Sequence, residues 1–173
     1  MAPERSLDDS SAYLAAPPAG TADPWTAAGG TQQLLDVAQI EPPRNVAEAL
    51  DTGEPVVLRR RLMLLDGRPV EIADSYYPAR VAAGTALAEQ RRIPGGSPAL
   101  LSALGLVAAY ADEAVELESE PTSDEAALLG LRDGDAVARL FRTAYTAGGT
   151  PIEVSTSVFV RAGRVLRYRI TVG

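Results

Sequence analysis

Residues 55–78 read PVVLRRRLMLLDGRPVEIADSYYP, and this stretch decides the fold. Residues 55–65 are rich in apolar side chains, Asp66-Gly67 is a strong two-residue turn signal, and 70–77 returns as a second strand. Pro78 ends that strand, because proline cannot donate to a β-ladder. The centre of the chain is therefore a β-hairpin, and the flanking segments must supply its neighbours.

Upstream, residues 34–41 (LLDVAQIE) are a candidate first strand stopped by Pro42-Pro43. Asn45 is placed to N-cap a short helix through Val46, Ala47 and Leu50, with Gly53 beyond its end. Downstream, residues 80–92 read as a helix broken by Pro94-Gly95-Gly96. Ser97 is a good N-cap for a second helix over 98–104, with Pro98 at its first position and Gly105 at its stop. Residues 107–120 alternate as a long strand with one wet face. Thr122 and Glu125 form a capping box ahead of Ala126, Leu128 and Leu129, closed by Gly130. Residues 136–146 and 150–160 pair through Gly148-Gly149, and 164–172 (RVLRYRITV) reads as a last strand. The expected class is α+β, an antiparallel sheet with short helices packed on it. Residues 1–30 carry no sustained periodicity and read as a linker or loosely ordered arm with Trp25 as a possible anchor; residues 31–173 are the expected domain.

Composition narrows the chemistry. The chain has 173 residues, 46% of them hydrophobic, with 16 basic and 23 acidic side chains and a net charge of -7. That suits one domain with a real core, with or without a tail. There is no cysteine and no histidine, and every basic residue is an arginine. Disulfides, thiolate or imidazole metal sites, histidine-dependent nucleophilic catalysis and lysine Schiff bases are excluded. No metal and no cofactor is expected. An acidic chain is a poor generic nucleic-acid binder, so no direct nucleic-acid contact is expected. No run of 18 apolar residues exists, and the first 30 residues lack a signal peptide's basic and apolar regions. A cytoplasmic protein without membrane contact is the expectation, and the arginine-, alanine- and glycine-rich usage hints at a bacterial source.

Arg59 and Arg61 are two apart on a strand, so both point to one face and Arg60 to the other. Two arginines on a buried face need anions, and a ligand phosphate or carboxylate matches the guanidinium fork. The alternative is a surface strand face paired with Glu116, Glu118 or Glu153. Ser75 and Tyr76 sit at a strand end; either Tyr76 or Tyr77 could equally be core packing. Gly96 and Ser97 open a helix, whose free N–H groups favour anions, although a plain cap is the commoner use of such a serine.

Four stretches in order resemble the UTRA effector-binding domain of HutC-type regulators in the GntR family, a fold shared with chorismate lyase. They are RRRLMLLDGRPVEIADSYYP (59–78), PGGSPALLSALG (94–105), PTSDEAALLGLRDGDAVARLFRTAY (121–145) and GGTPIEVSTSVF (148–159). The resemblance covers roughly residues 33–172. It implies a sheet facing a pocket for a small metabolite with an anionic group, in a homodimer, with an attached winged-helix domain that binds DNA. Only some 30 residues precede the fold, too few for that domain, so the chain reads as an effector domain without its DNA-binding part.

By the same resemblance Arg59, Arg61, Glu153, Tyr76, Ser75, Ser97 and Phe159 are the candidate ligand residues, with Glu153 as the pocket carboxylate. The alternative role for Glu153 is a structural ion pair with Arg59, Arg61 or Arg142. Relatives that sense phosphosugars carry polar residues where this chain has Ala73, Pro98 and Phe159, which implies a ligand with a larger apolar portion than a hexosamine phosphate. The runner-up is a stand-alone enzyme or binding protein acting on a carboxylate-bearing, partly hydrophobic metabolite, a cofactor-free lyase, isomerase or cyclase. In that reading Arg61 clamps the carboxylate and Glu153 is the general acid or base; in the first reading no residue is catalytic.

Overall fold

Asp66 and Gly67 both adopt positive φ, 50° and 76°, the geometry that lets a two-residue turn follow the twist of its strands. They join β2 (Val56–Leu65) to β3 (Arg68–Pro78) in the computed structural model, which describes residues 24–160 and Leu166. Around this hairpin lie β1 (Gly30–Ile40), β4 (Tyr110–Ser119), β5 (Val137–Tyr145) and β6 (Pro151–Val160). All neighbours are antiparallel, in the order β1-β2-β3-β6-β5-β4. The expected strand over 164–172 and most of the arm over 1–30 fall outside the described residues.

Among the described residues five short helices pack on this sheet: α1 (Pro24–Ala27), α2 (Arg44–Leu50), α3 (Ala79–Ala82), α4 (Gly96–Ala103) and α5 (Ser123–Leu129). Helices α2 and α5 cover one face. There Val46 and Leu50 pack with Val56, Tyr76 and Val154, and Leu129 packs with Leu62, Ile72 and Val137. The opposite face carries α3, α4 and the chain between them, where Tyr77, Leu87, Ile93 and Leu101 share a cluster with Val57. Tyr77, Leu50 and Leu87 have no exposure at all, and burial of each such side chain stabilises by about 1.5–3 kcal/mol.

The expected capping box is present in full: Thr122 accepts from the Glu125 amide and Glu125 accepts from the Thr122 amide. Arg139 also donates two 2.8 Å bonds to Glu125, and these bonds push its carboxyl down to about 2.

Other expectations need correction. Asn45 does not cap α2: Pro43 holds the N-cap position, and Asp51 rather than Gly53 takes the left-handed C-cap. Residues 80–92 do not form one helix. After the single turn of α3, Gly84 at φ 71° breaks the run, Thr85 accepts from the Leu87 amide, and only a 3-10 turn at Ala86–Ala88 follows. Ser97 is not a cap; Gly95 is, at φ 74°, and Ser97 lies inside α4. The alternation along β4 fails at Leu117, which is 64% exposed, because a bulge lies between Glu116 and Ser119.

Trp25 is buried and donates from Nε1 to the Thr31 carbonyl at 2.8 Å. Its ring lies flat against Gly30, where an added Cβ would overlap Nε1 and Cε2 of the indole. Gly30→Ala should therefore expel the ring and cost about 1–3 kcal/mol by overpacking. Trp25 is the sole tryptophan, so intrinsic fluorescence reads this directly: a red shift is expected, and unchanged emission would contradict the packing.

Candidate functional site

Arg59 is a strand residue whose charge is fully committed to the protein backbone. Nη1 donates to the carbonyls of Ala86 (3.1 Å), Leu87 (2.8 Å) and Glu89 (2.9 Å), and Nη2 donates to the carbonyl of Arg91 (2.7 Å). The residue is only 4% exposed, and burial pulls its guanidinium down from the ordinary arginine value. A guanidinium has five donors and no acceptor, which suits a chain segment that presents carbonyls without completing a helix. The broken helix over 80–92 and the buried Arg59 are thus two halves of one arrangement. The segment it fixes leads directly into α4, which carries Ser97.

Arg61 is different. Its Nη2 donates to Ser75 Oγ at 2.7 Å, while its Nε is buried without a hydrogen-bond partner. Tyr77 has no exposure, and its hydroxyl meets no partner at hydrogen-bonding geometry although Ser75, Ser97 and Glu153 all lie close to it. Burial and the neighbouring Glu153 charge push the Tyr77 hydroxyl up, so it stays protonated as a donor. Glu153 follows the last paired position of β3 and β6, opposite Tyr77. Burial pushes its carboxyl up, against the pull of Arg61, the Ser75 and Tyr77 hydroxyls and Arg142. Arg142 is already paired with Glu113 across β4 and β5.

The structure thus brings together Arg61, Ser75, Ser97 and Glu153 from the candidate list, and adds Tyr77. Arg59 stands on the same face, spent on the loop. Phe159 lies on this face six residues along β6 from Glu153, packed with Ala138 and Leu140. Tyr76 lies on the opposite face, packed with Val46, Leu50 and Val154 under α2. The reason is a bulge. Leu65 pairs with Arg68 and Leu64 with Pro69, but beyond the shift at Met63 the register moves by one, so Arg59 pairs with Ser75 and Val57 with Tyr77. A one-residue slip exchanges the faces. The available signal was Pro69, since a proline within a strand favours an irregular ladder.

Among the described residues no group of three His, Cys, Asp or Glu side chains is placed to hold a metal ion. No described helix is long and apolar enough to cross a membrane.

The model of the UTRA domain family matches residues 30–162. Among solved structures, the ligand-binding domain of a protein assigned to the GntR-family transcriptional regulators of Bordetella bronchiseptica is 25% identical, with a TM-score of 0.69 over 82% of this chain and 91% of that one. The effector domain of PhnF from Mycobacterium smegmatis is 20% identical, with a TM-score of 0.74 over 86% of this chain and 93% of that one. PhnF itself matches at 20% identity and a TM-score of 0.75, over 89% of this chain and 69% of that one. The PhnF likeness shows the shared fold. No curated protein sequence matches.

The two arginines make opposite predictions for stability. Arg59→Ala removes a guanidinium that donates to four carbonyls, the one of Leu87 in a fully buried bond, and should cost about 3 kcal/mol or more. Arg61→Ala removes a group with one protein hydrogen bond and should cost about 1 kcal/mol or less. Urea midpoints at pH 7 check this; equal losses would contradict the division of roles.

Proposed function

The chain belongs to the UTRA domain family, and from that footing we propose that it is the small-molecule effector-sensing domain of a GntR/HutC-type transcription regulator. The effector carries an anionic group and a sizeable apolar portion, and the domain acts as a homodimer in the bacterial cytoplasm. One observation carries the ligand assignment: Arg61 Nε and the Tyr77 hydroxyl are both buried without partners, next to Glu153. Unpaired buried donors are costly, and a ligand phosphate or carboxylate satisfies Arg61 in the way its planar fork favours. Glu153 then accepts from a hydroxyl or amine of the same ligand. Ser75 and Ser97 bound the polar end, and the apolar part extends along β6 toward Phe159, where a tyrosine in phosphosugar-sensing relatives gives way to a ring without a hydroxyl.

A second reading, an enzyme on the same fold, has one observation in its favour: a carboxyl raised by burial beside an arginine suits general acid–base work. Incubation with carboxylated metabolites separates the two. Stoichiometric binding without product supports the sensor, and catalytic turnover supports the enzyme.

The direct test is a thermal-shift screen of sugar phosphates and carboxylated aromatic and aliphatic metabolites, followed by calorimetry on variants. Arg61→Ala and Glu153→Ala should each fold and lose at least about tenfold in affinity, the equivalent of one charged hydrogen bond. Binding as tight as the parent's in both would overturn the assignment. The sign for Glu153 without ligand is also set. Its folded-state carboxyl is raised, so the ionised form destabilises the fold once the pH passes the ordinary glutamate value. Glu153→Gln should melt higher than the parent at pH 7, and this gain should shrink as the pH falls toward the ordinary glutamate value and be gone below it.

A further inference from the structure

The face of the sheet opposite Arg61 holds a cavity of about 440 Å³ between α2 and α5, over β3, β6 and β5. That volume lies in the range of small-molecule sites. Its apolar floor is Ile72, Phe141 and Val158; its polar wall is Arg60 and Asp74. These two form an ion pair that stops short: Arg60 Nε and Asp74 Oδ1 face each other at 3.6 Å, and both atoms are buried with no hydrogen-bond partner. Of the other charges at the rim, Glu116 is exposed on β4 beside its ladder partner Arg139. Arg139 is held by two bonds to Glu125 and one to the Glu120 carbonyl.

We propose that this cavity is a second ligand site, for a small neutral compound that carries a hydrogen-bond donor and acceptor side by side on a flat apolar body. A carboxamide has this pattern. Its carbonyl accepts from Arg60 Nε, its N–H donates to Asp74 Oδ1, and its apolar body lies over Ile72, Phe141 and Val158. A neutral head fits because the wall is already a balanced pair of opposite charges; a lone anion would face Asp74 and a lone cation would face Arg60. Burial raises the Asp74 carboxyl despite the neighbouring arginine, as a pair lacking close hydrogen bonds allows. The site shares no residue with the Arg61 group, so the two proposals stand or fall separately.

Benzamide is the probe, titrated into the full-length protein and followed by amide NMR, with benzoate and benzylamine as acceptor-only and donor-only controls. Saturable shifts are expected around Asp74, Phe141 and Thr156, with benzamide about tenfold tighter than either control, the effect of one added hydrogen bond to a charged group. Ala114 lines the cavity from the exposed edge strand, so Ala114→Trp should fill it without touching the core and remove the saturable shifts. Asp74→Ala should weaken benzamide at least about fivefold, and Arg61→Ala should leave it unchanged. The proposal is overturned if no saturable shift occurs, if the three probes bind alike, or if binding persists in a folded Ala114→Trp protein. A cavity occupied only by exchanging water gives the first of these results.

Discussion

Arg59 reaches from the second strand of the sheet into a stretch of chain that has stopped being helical, and gives its donors to the carbonyls of Ala86, Leu87, Glu89 and Arg91. Each such bond involves a charged donor, which makes it stronger than a neutral one. Without them the buried Leu87 carbonyl would lose its side-chain donor, and those of Ala86, Glu89 and Arg91 would lose a charged one. With them, the segment lies fixed against Val57 and Tyr77, and α4 follows at a set position. The location of Ser97 near the Tyr77 hydroxyl depends on this tie.

A division between neighbouring arginines results. Arg59 serves the fold, Arg61 is left with one partner and an unpaired Nε, and Arg60 points to the other face, where it meets Asp74 imperfectly. The three consecutive side chains thus occupy three electrostatic situations within one strand. In the proposed function, stability and ligand recognition separate along the same line. The group around Arg61, Tyr77 and Glu153 is destabilising without a ligand, because burial opposes the Glu153 charge and leaves donors unmet. In the proposed function an effector would relieve this strain on binding, and it is common for binding sites to hold such strain.

Much of the fold was legible because its signals are local. The Asp66-Gly67 turn, the Thr122–Glu125 capping box and the Gly148-Gly149 turn each act within a few residues. The pairing of Arg59 and Arg61 on one face followed from strand alternation alone. What escaped was non-local or parity-dependent. Residues 80–92 have helical spacing, and only the distant Arg59, together with Gly84, decides otherwise. Tyr76 and Tyr77 exchange faces through one bulge near Pro69, which a plain hairpin register cannot reveal. Ser97 was recognised as polar and well placed, yet its role as a buried neighbour of Tyr77 needs the tertiary fold.

The tie between Arg59 and residues 86–91 sets where α4 lies, and amide hydrogen exchange on Arg59→Ala measures its strength. Local opening should be selective. Exchange across residues 84–104 should rise at least about tenfold relative to the parent, while β5 and β6 keep the protection set by the global stability of the variant. If residues 84–104 stay as protected as β5 and β6, or if the whole sheet loosens equally, Arg59 does not hold the segment in place and the positioning of the site has another cause.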